Sequence, residues 1–462
     1  MKTLITIYKS KFMSHTENGA SIELQSRKKW TSKGTSRIVP VSDTLKKVTP
    51  VAKQIGVTRL ADITNMDILR IPNYSAVLPG TEDYIWVYSG KGPTRADAKA
   101  SALMECVERY SSLPGTVARH YITGTYEKLA KEYGRENVLH PDDVLEPLKF
   151  EYKDDMQMDF LEGIDLFTND KILVPAGIAL SRYEPVNASV NPFKFSHTNG
   201  LASGNVLEEA ICHAICEVIE RDAVSLADLR SSAIPFHILK TMTEALQHNG
   251  VNVNSLQSDL FVDDSDLFPE VDISGVEFSY ARSLINRFHE ENIPLLIKDI
   301  TTDIGIPTFI ATSVQWVTHD YGYLAEGHGT HPDARIALVR AITEVSQTRA
   351  ANIQGARDDL RRMNYKMGNT AETKSWQFMH SKHKKDFGAV KTFENIDILD
   401  DIHLLLKNLE NVGLKRAIVV NLTNPSIGIP VVRVIVPRLE TFKVTKGVIG
   451  NRARKYFPRP RM

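Results

Sequence analysis

The chain has 462 residues, its 56 lysines and arginines are balanced by 56 aspartates and glutamates, and 42% of its residues are hydrophobic. Balanced charge gives no reason to expect a nucleic acid or a membrane surface as a partner. No apolar run reaches the ~18 residues needed to span a bilayer. The three cysteines include no C-x-x-C pair, which argues against a disulfide framework. The sequence therefore predicts a soluble, cytoplasmic protein with no nucleic-acid or membrane partner.

The order of predicted elements suggests one large domain with short additions. Residues 1–30 are mixed and polar and are expected to form a weakly ordered extension. Residues 31–452 hold the strands and helices, interrupted at 355–390 by a highly charged stretch that we interpret as a solvated insertion or lid. The last residues, 453–462, form a basic tail that contains prolines. Strands and helices interleave irregularly, which favours an α+β fold with mixed sheets over a doubly wound sheet.

One spacing recurs in three predicted helices: two alanines four apart, then polar residues three and six positions after the second alanine. The three sets are Ala98, Ala102, Glu105 and Glu108; Ala210, Ala214, Glu217 and Glu220; and Ala337, Ala341, Glu344 and Gln347. Small alanines let a helix approach a neighbour closely, so the acids that follow share a defined edge. We expect these three helices to form parts of one site. Chance reuse of alanine-rich helix sequence is the alternative.

The second of these helices carries an unusual polar face. Asn205 and Glu208 are spaced as a capping box, which predicts the start of the helix. The polar face is formed by Glu209, His213, Glu217 and Glu220. Like charges at this helical spacing repel one another. We therefore expect a cation to lie against this face.

Carboxylates gathered from several helices form an oxygen site that suits Mg²⁺, which is commonly shared with substrate phosphates. The arginines available for phosphate oxygens are Arg37, Arg109, Arg221 and Arg340. One interpretation is a nucleotide held by the acids through Mg²⁺ and by the arginines directly. A structural network of buried arginine–glutamate pairs is the alternative. The chain contains neither the P-loop pattern nor a dinucleotide-binding glycine pattern after a strand.

Histidines and cysteines leave further alternatives open. His328 and His331 lie in a glycine-rich turn and suit a base or metal ligands, but we favour a role in stabilising the turn. Cys212 and Cys216 flank His213 and would suit a metal. Both cysteines fall near the apolar side of the helix, so we favour buried small hydrophobic residues.

Three pairs of segments carry a combined pattern. They are Ser89-Gly90-Lys91-Gly92 with Ser101 to Arg109, Asn199 to Asn205 with Glu217 to Arg221, and Gly327-His328-Gly329 with Arg340 to Glu344. Together they resemble the three signature blocks of the YcaO family, over residues 33–452. The resemblance implies the YcaO fold, an ATP site without a P-loop, and activation of a peptide backbone amide.

In the chemistry that this resemblance implies, a nucleophile adds to the amide carbonyl, ATP phosphorylates the resulting oxyanion, and phosphate leaves. Phosphorylation turns a poor leaving oxygen into a good one, with Mg²⁺ and arginine stabilising the phosphoryl group in transit. A cysteine, serine or threonine nucleophile gives an azoline, whereas a sulfide donor gives a thioamide.

The resemblance also implies residue roles. Residues matching the Mg²⁺–ATP positions are Glu105, Glu108, Glu209, Glu217 and Glu220. Residues matching further nucleotide positions are Arg37, Thr44, Asn205, Arg221, Arg340 and Glu344. The residues predicted to be catalytic are Glu217, Glu220, Arg221 and Arg340.

Two features favour one branch of the family. Azoline-forming members often end in Pro-x-Pro-x-Pro, whereas this chain ends Pro458-Arg459-Pro460-Arg461-Met462. Residues 34–64 most resemble the archaeal, TfuA-partnered branch that is linked to backbone thioamides. We therefore expect thioamidation of a protein or peptide with a TfuA-like sulfur-delivery partner. The alternatives are an azoline-forming cyclodehydratase of a ribosomal peptide natural product and a non-catalytic accessory factor for methylthiolation of a ribosomal small-subunit protein. A homodimer is left open.

Overall fold

The computed structural model describes residues 22–30, 36–80, 86–185, 189–251, 268–318, 321–356, 365–367, 376–445 and 447–456. The helices are α1 (Val41–Gln54), α2 (Arg95–Ser112), α3 (Tyr126–Tyr133), α4 (Ala176–Ala179), α5 (Leu207–Asp228), α6 (Ile234–His248), α7 (Ser279–Glu290), α8 (Ala334–Gln354), α9 (Ile398–Asn411), α10 (Phe442–Thr445) and α11 (Asn451–Arg454). Within the described ranges, none of them combines the length and hydropathy that crossing a membrane requires.

The strands form three sheets, so the predicted α+β class is confirmed. The strands are β1 (Arg59–Asp62), β2 (Asn73–Val77), β3 (Val87–Lys91), β4 (Ile122–Thr125), β5 (Gln157–Asp165), β6 (Lys171–Pro175), β7 (Leu201–Ser203), β8 (Glu270–Asp272), β9 (Leu295–Asp299), β10 (Thr308–Thr318), β11 (Tyr321–Thr330), β12 (Tyr365–Met367), β13 (Lys384–Asp386), β14 (Ile418–Asn421) and β15 (Val431–Ile435). The first sheet has the order β1-β2-β3, the second β12-β11-β10-β9-β8-β13, and the third β4-β5-β14-β15-β7, with β6 paired to β5. Strand pairs are antiparallel except β13 with β8.

The paired alanines bring a helix backbone directly onto a glycine of a strand. A Cβ built on Gly90 of β3 would lie 2.1 Å from the Ala98 carbonyl oxygen and the Ala102 nitrogen of α2. A Cβ on Gly329 of β11 would lie 2.0 Å from the Ala337 carbonyl oxygen of α8. Only glycine permits such an approach. The close neighbour that the alanine spacing predicts is therefore the strand preceding each of these two helices.

The three acidic helices belong to three separate apolar cores. Leu103 of α2 packs in the core shared with α1 and the first sheet. The core of α5 contains Cys212 and Cys216, both buried, which confirms the interpretation of these cysteines as small hydrophobic residues. Ala341 of α8 packs with Phe288 of α7 against the second sheet. Each core thus delivers one acidic helix to the space between them.

The start of α5 differs from the predicted capping box. The helix begins at Leu207 without a side-chain cap. Glu208 instead accepts the Gln25 backbone N–H at 2.8 Å, and the Asn205 amide donates to Glu209 at 2.8 Å. The capping-box prediction is wrong because other partners engage both residues: the N-terminal segment engages Glu208, and Glu209 and Thr44 engage the Asn205 side chain.

The N-terminal segment, residues 22–30, lies within the predicted extension but packs against the rest of the chain. The Arg27 backbone N–H donates to Asp397, the residue before α9, at 2.8 Å, and Lys29 pairs with the buried Asp401 of α9. Residues 1–21 lie outside the described part of the chain. The packed structure therefore begins ahead of residue 31.

The charged stretch at 355–390 is described only in part, because residues 357–364 and 368–375 lie outside the described ranges. Trp376 is 2% exposed, and β13 extends the second sheet beside β8. An apolar anchor and backbone pairing thus attach the described part to the sheet.

The C-terminal helix α11 crosses the predicted boundary between residues 452 and 453. Arg452 donates two hydrogen bonds of 2.9 Å to the buried Asp222 of α5, and the Ala453 N–H donates to Glu440 at 2.9 Å. The first residues of the predicted basic tail are therefore anchored behind α5, while residues 457–462 lie outside the described ranges.

Candidate functional site

Carboxylates of α2 and α5 approach one another at the centre of the site. Glu108 accepts the Ser203 backbone N–H at 3.0 Å and lies within electrostatic range of Glu217. Burial, reinforced by Glu105 and Glu217, raises the pKa of Glu108 to about 8. Burial and the neighbouring Glu220 also raise the pKa of Glu217. Both carboxyl groups are shifted toward their protonated forms, and a cation between them would favour the charged forms.

The arginine after each acidic pair lies at the edge of this cluster. Arg109 contacts Glu105 at 3.2 Å and Glu108 at 4.0 Å, and Arg221 lies 3.9 Å from Glu217. Two of these three contacts, Arg109 to Glu108 and Arg221 to Glu217, are too long for direct hydrogen bonds. In these two contacts the arginines lie beside Glu108 and Glu217 without hydrogen-bonding to them.

The third helix joins the site through a lysine of the first sheet. Lys91 of β3 lies 2.5 Å from Glu344 of α8. Burial alone would raise the pKa of Glu344, but Lys91, His328 and Arg221 hold that pKa well below its usual range. Arg221 belongs to α5, so α5, α8 and β3 meet at this carboxylate.

The N-terminal side of the site is organised by Glu209. One of its oxygens accepts the Ile38 N–H at 2.7 Å, and the other accepts the backbone and side-chain N–H groups of Asn205, each at 2.8 Å. Arg37 lies 3.6 Å away, and Thr44 donates to the Asn205 side-chain oxygen at 2.9 Å. Glu209 is 2% exposed. Both oxygens of Glu209 therefore accept hydrogen bonds that hold this loop in place.

His213 and Arg340 connect the two sides. Arg340 Nη1 lies 2.9 Å from His213 Nδ1. Burial, together with the cations Arg340, Arg37 and Lys91, lowers the pKa of His213 well below its usual value. The histidine is therefore neutral at the centre of a cationic group of side chains.

A buried arginine lies beneath the carboxylates. Arg433 of β15 is 2% exposed and donates to the carbonyl oxygens of Ile178 at 3.1 Å and His197 at 2.7 Å. Burial lowers its pKa to about 10, an effect that the nearby Glu217 partly offsets. Arg433 thus places a buried positive charge close to Glu217.

The predicted nucleotide residues consequently fall into two linked groups. The first group comprises Glu105, Glu108, Glu217, Glu220, Arg221 and Glu344. The second group comprises Arg37, Thr44, Asn205 and Glu209, with Arg340 between the two.

The first group fits a magnesium ion better than the second. Glu220 is 4% exposed, and its Oε2 has no hydrogen-bond partner among the residues that the structure describes. Together with Glu108 and Glu217, whose pKa values are raised, it offers carboxylate oxygens of the type that Mg²⁺ prefers. No three acidic, histidine or cysteine side chains in the described ranges already surround one point. Mg²⁺ is usually held by one or two carboxylates together with substrate phosphates and waters. Glu209 accepts hydrogen bonds on both oxygens and so offers fewer free lone pairs than Glu220, and its role as a direct metal ligand stays a prediction.

The two histidines of the predicted glycine-rich turn have different positions, since His328 lies within β11 and His331 follows the end of that strand. His331 Nδ1 accepts the Asp333 N–H at 2.9 Å just ahead of α8, which confirms its role in the turn. His328 is buried, with Nδ1 3.7 Å from Glu344. The turn prediction is therefore confirmed for His331 and wrong for His328, which pairs with Ile310 inside β11 and borders the acidic site.

Three residues that lie in the site have no predicted role from the sequence: Lys91, His213 and Arg433. Lys91 lies in a Gly-Lys-Gly segment whose resemblance to a P-loop is superficial, although its lysine does reach the site. His213 interrupts a row of glutamates, which is itself a signal. Arg433 is the charged residue in an otherwise apolar buried strand, Val431–Ile435, and such a residue needs a partner.

Comparison with known proteins identifies the family. The model of the family described as YcaO cyclodehydratase, ATP- and Mg²⁺-binding, matches residues 89–262 and 260–440. An uncharacterized protein of Methanothermobacter thermautotrophicus is 33% identical over 420 residues, which cover 89% of this chain and 97% of that protein. An uncharacterized protein in the tfuA 3′ region of Rhizobium leguminosarum bv. trifolii is 28% identical over 87% of this chain and 88% of its own length.

Solved structures share the fold. The structure of YcaO from Methanopyrus kandleri bound with AMPPCP and Mg²⁺ has a TM-score of 0.66 at 20% identity, covering 92% of this chain and 98% of that one. A heterocyclase in complex with substrate and cofactor has a TM-score of 0.69 at 22% identity. The match covers 92% of this chain and 55% of the heterocyclase, which is longer. ATP and Mg²⁺ are the cofactors in the family's description, as predicted. The chain belongs to the YcaO family.

Proposed function

We propose that this protein activates a peptide backbone amide by ATP-dependent O-phosphorylation, and that the product is a thioamide in a protein or peptide. The observation that carries this proposal is the meeting of α2, α5 and α8 at one place. The charge of Glu217 on α5 helps to raise the pKa of Glu108 on α2, and Arg221 on α5 and Glu344 on α8 stabilise each other's charged forms. A site assembled from three cores, rich in carboxylates and edged by arginines, suits a metal-bound triphosphate.

We assign the metal-binding role to the first group of residues. Glu108, Glu217 and Glu220 would hold Mg²⁺, with Glu105 beside them. When bound, Mg²⁺–ATP supplies the phosphoryl group that converts the amide oxygen into a leaving group. The carboxylates hold the cation in place, and the partly exposed Arg221 is positioned to meet negative charge as it develops.

The second group would hold the opposite side of the nucleotide. Arg37 is 42% exposed and therefore available to a phosphate oxygen. Glu209 fixes the loop carrying Arg37 and also fixes Asn205, which Thr44 contacts. In this assignment Glu209 positions other binding residues and does not itself ligate the metal.

Thioamide formation is favoured over azoline formation by the relative encoded in the tfuA 3′ region, which matches 87% of this chain. We propose that a separate TfuA-like protein delivers sulfur. The nucleophile then comes from the partner and not from a side chain of the substrate, so the two products are distinguishable by mass. Replacement of one oxygen by sulfur indicates a thioamide, and loss of one water indicates an azoline. A homodimer stays a prediction, to be checked by light scattering.

The central experiment replaces Glu217 with Gln. Removing one carboxylate charge from the metal site while keeping its shape should lower peptide-dependent ATP hydrolysis by about 100-fold or more, since charge stabilisation of this kind is typically worth several kcal/mol. Phosphate release would be measured with purified protein, candidate peptide and the TfuA-like partner, alongside the thermal melting temperature. The matched control is Glu162→Gln, which removes a carboxylate that pairs with Lys171 at 3.2 Å on an exposed surface.

Full ATP turnover in Glu217→Gln would remove the acidic site from the proposal. Amide activation would be contradicted if the rate of ATP hydrolysis did not depend on the peptide. It would also be contradicted if the host's proteins showed no oxygen-to-sulfur exchange when the gene is present. The accessory-factor alternative predicts no peptide-dependent turnover in either variant or in the wild type.

A further inference from the structure

His213 occupies the middle of the polar face of α5. It lies one helical turn after Glu209 and one turn before Glu217, so all three side chains project from the same side of the helix. The residue is half-buried. It therefore stands between the group assigned to magnesium and the loop that carries Arg37.

The contact with Arg340 determines which nitrogen of His213 carries the proton. Arg340 Nη1 lies 2.9 Å from Nδ1, and a guanidinium group can only donate hydrogen bonds. Nδ1 must therefore be an unprotonated acceptor. A neutral imidazole with an unprotonated Nδ1 carries its proton on Nε2.

The Nε2–H group has no acceptor in the part of the chain that the structure describes, where Arg340 is the hydrogen-bond partner of His213. The charges that act on the ring from other elements are those of Arg340, Arg37, Lys91 and His331, the last buried with a lowered pKa. A neutral donor among three cations is well placed for an anionic acceptor and badly placed for another cation.

We propose that His213 is a nucleotide-binding residue whose Nε2–H donates a hydrogen bond to a phosphate oxygen of ATP, while Nδ1 keeps Arg340 directed at the same phosphates. This inference rests on the proposed function, because it requires the triphosphate to lie along α5. It also accounts for a histidine in a row of glutamates. A carboxylate at this position would repel the phosphates and would accept from Arg340 without offering a donor.

Two substitutions distinguish the roles of the two ring nitrogens of His213. In His213→Asn the side-chain oxygen replaces Nδ1 as the acceptor for Arg340, but no group replaces the Nε2 donor. In His213→Gln the amide nitrogen reaches the Nε2 position, but the acceptor for Arg340 is lost. The affinity for Mg²⁺–AMPPCP would be measured by calorimetry on each full-length variant, with the melting temperature as the check on folding.

We expect His213→Asn to weaken Mg²⁺–AMPPCP binding by about 10- to 100-fold, the usual range for losing a hydrogen bond to a charged group. His213→Gln should weaken binding clearly less than His213→Asn, because it keeps the donor to the phosphate and loses only the contact that directs Arg340. The reverse order would overturn the proposal, since His213 would then only support Arg340. Unchanged binding in both variants would also overturn it.

A second measurement uses only the wild-type protein, so it stands even when a variant does not fold. Two-bond proton–nitrogen spectra report the histidine tautomer, and we expect the Nε2–H form, with a shift of that proton when Mg²⁺–AMPPCP is added. A proton on Nδ1, or no shift at saturating nucleotide, would contradict the inference. Failure of the wild type to bind Mg²⁺–AMPPCP at all would instead count against the proposed function.

Discussion

The raised pKa of Glu108 makes a measurable prediction about stability. Burial and the nearby carboxylates raise this pKa to about 8, against 4.5 for an ordinary glutamate. The folded protein therefore binds this proton more tightly than the unfolded chain does. Stability falls as the pH rises from the unfolded pKa toward the folded one, because the unfolded state loses its proton first, and it levels off above the folded value. The carboxylate thus destabilises the fold most in alkaline buffer.

Glu108→Gln removes this titration while keeping an oxygen that can accept the Ser203 N–H. Each pKa unit corresponds to ~1.4 kcal/mol, so between about pH 6 and about pH 9 the wild type should lose about 2–3 kcal/mol relative to the variant. The side chain is 13% exposed, so solvent screening reduces this figure only modestly.

The assay is urea denaturation of both proteins at the two pH values, with Glu162→Gln as an exposed control. The difference in unfolding free energy between wild type and Glu108→Gln should widen as the pH rises, whereas the control should follow the wild type. Equal pH dependence in wild type and Glu108→Gln would refute the argument that burial among carboxylates governs this site.

The remaining predictions concern binding, packing and the buried cation. Because the charged form of Glu108 is needed to hold a cation, the affinity for Mg²⁺–AMPPCP should rise by up to about tenfold per unit between about pH 6.5 and pH 8, measured by calorimetry; a flat profile would speak against direct ligation. Gly329→Ala should lower the melting temperature by several degrees, because its Cβ would lie 2.0 Å from the Ala337 carbonyl oxygen. Gly275→Ala meets nothing within 4 Å and should be neutral, and similar melting of both variants would contradict the close-packing argument. Arg433→Met should destabilise the fold by about 3 kcal/mol in urea denaturation, because removing a buried cation leaves carboxylates and carbonyls unpaired; an unchanged midpoint would show that this charge is not needed.

The sequence was informative where spacing within one helix carries the signal. The alanines at 98 and 102 predict a close neighbour for α2, and the acids that follow them predict a shared edge. Thr94 precedes the helix and accepts the Asp97 N–H at 3.2 Å, as an N-cap does. Such patterns are local, because the periodicity of a helix fixes which side chains share a face.

The sequence was uninformative where partners lie far apart in the chain. Glu209 is held by Ile38, which precedes it by 171 residues, and nothing in either local pattern indicates that pairing. The predicted capping box failed for the same reason, since Glu208 bonds to Gln25. Arg433 could be recognised as an anomaly in an apolar strand, but its depth beneath Glu217 depends on how the third sheet packs on α5.

The division of the acidic helices among three cores has a consequence for folding. None of the cores alone contains enough of the acidic cluster to hold a triphosphate, so the cluster exists only after all three have docked. A nucleotide that contacts all three helices would link the three cores, and hydrogen exchange in all of them should then slow together when it binds. The bound nucleotide would thus supply the last contacts that form between the three cores.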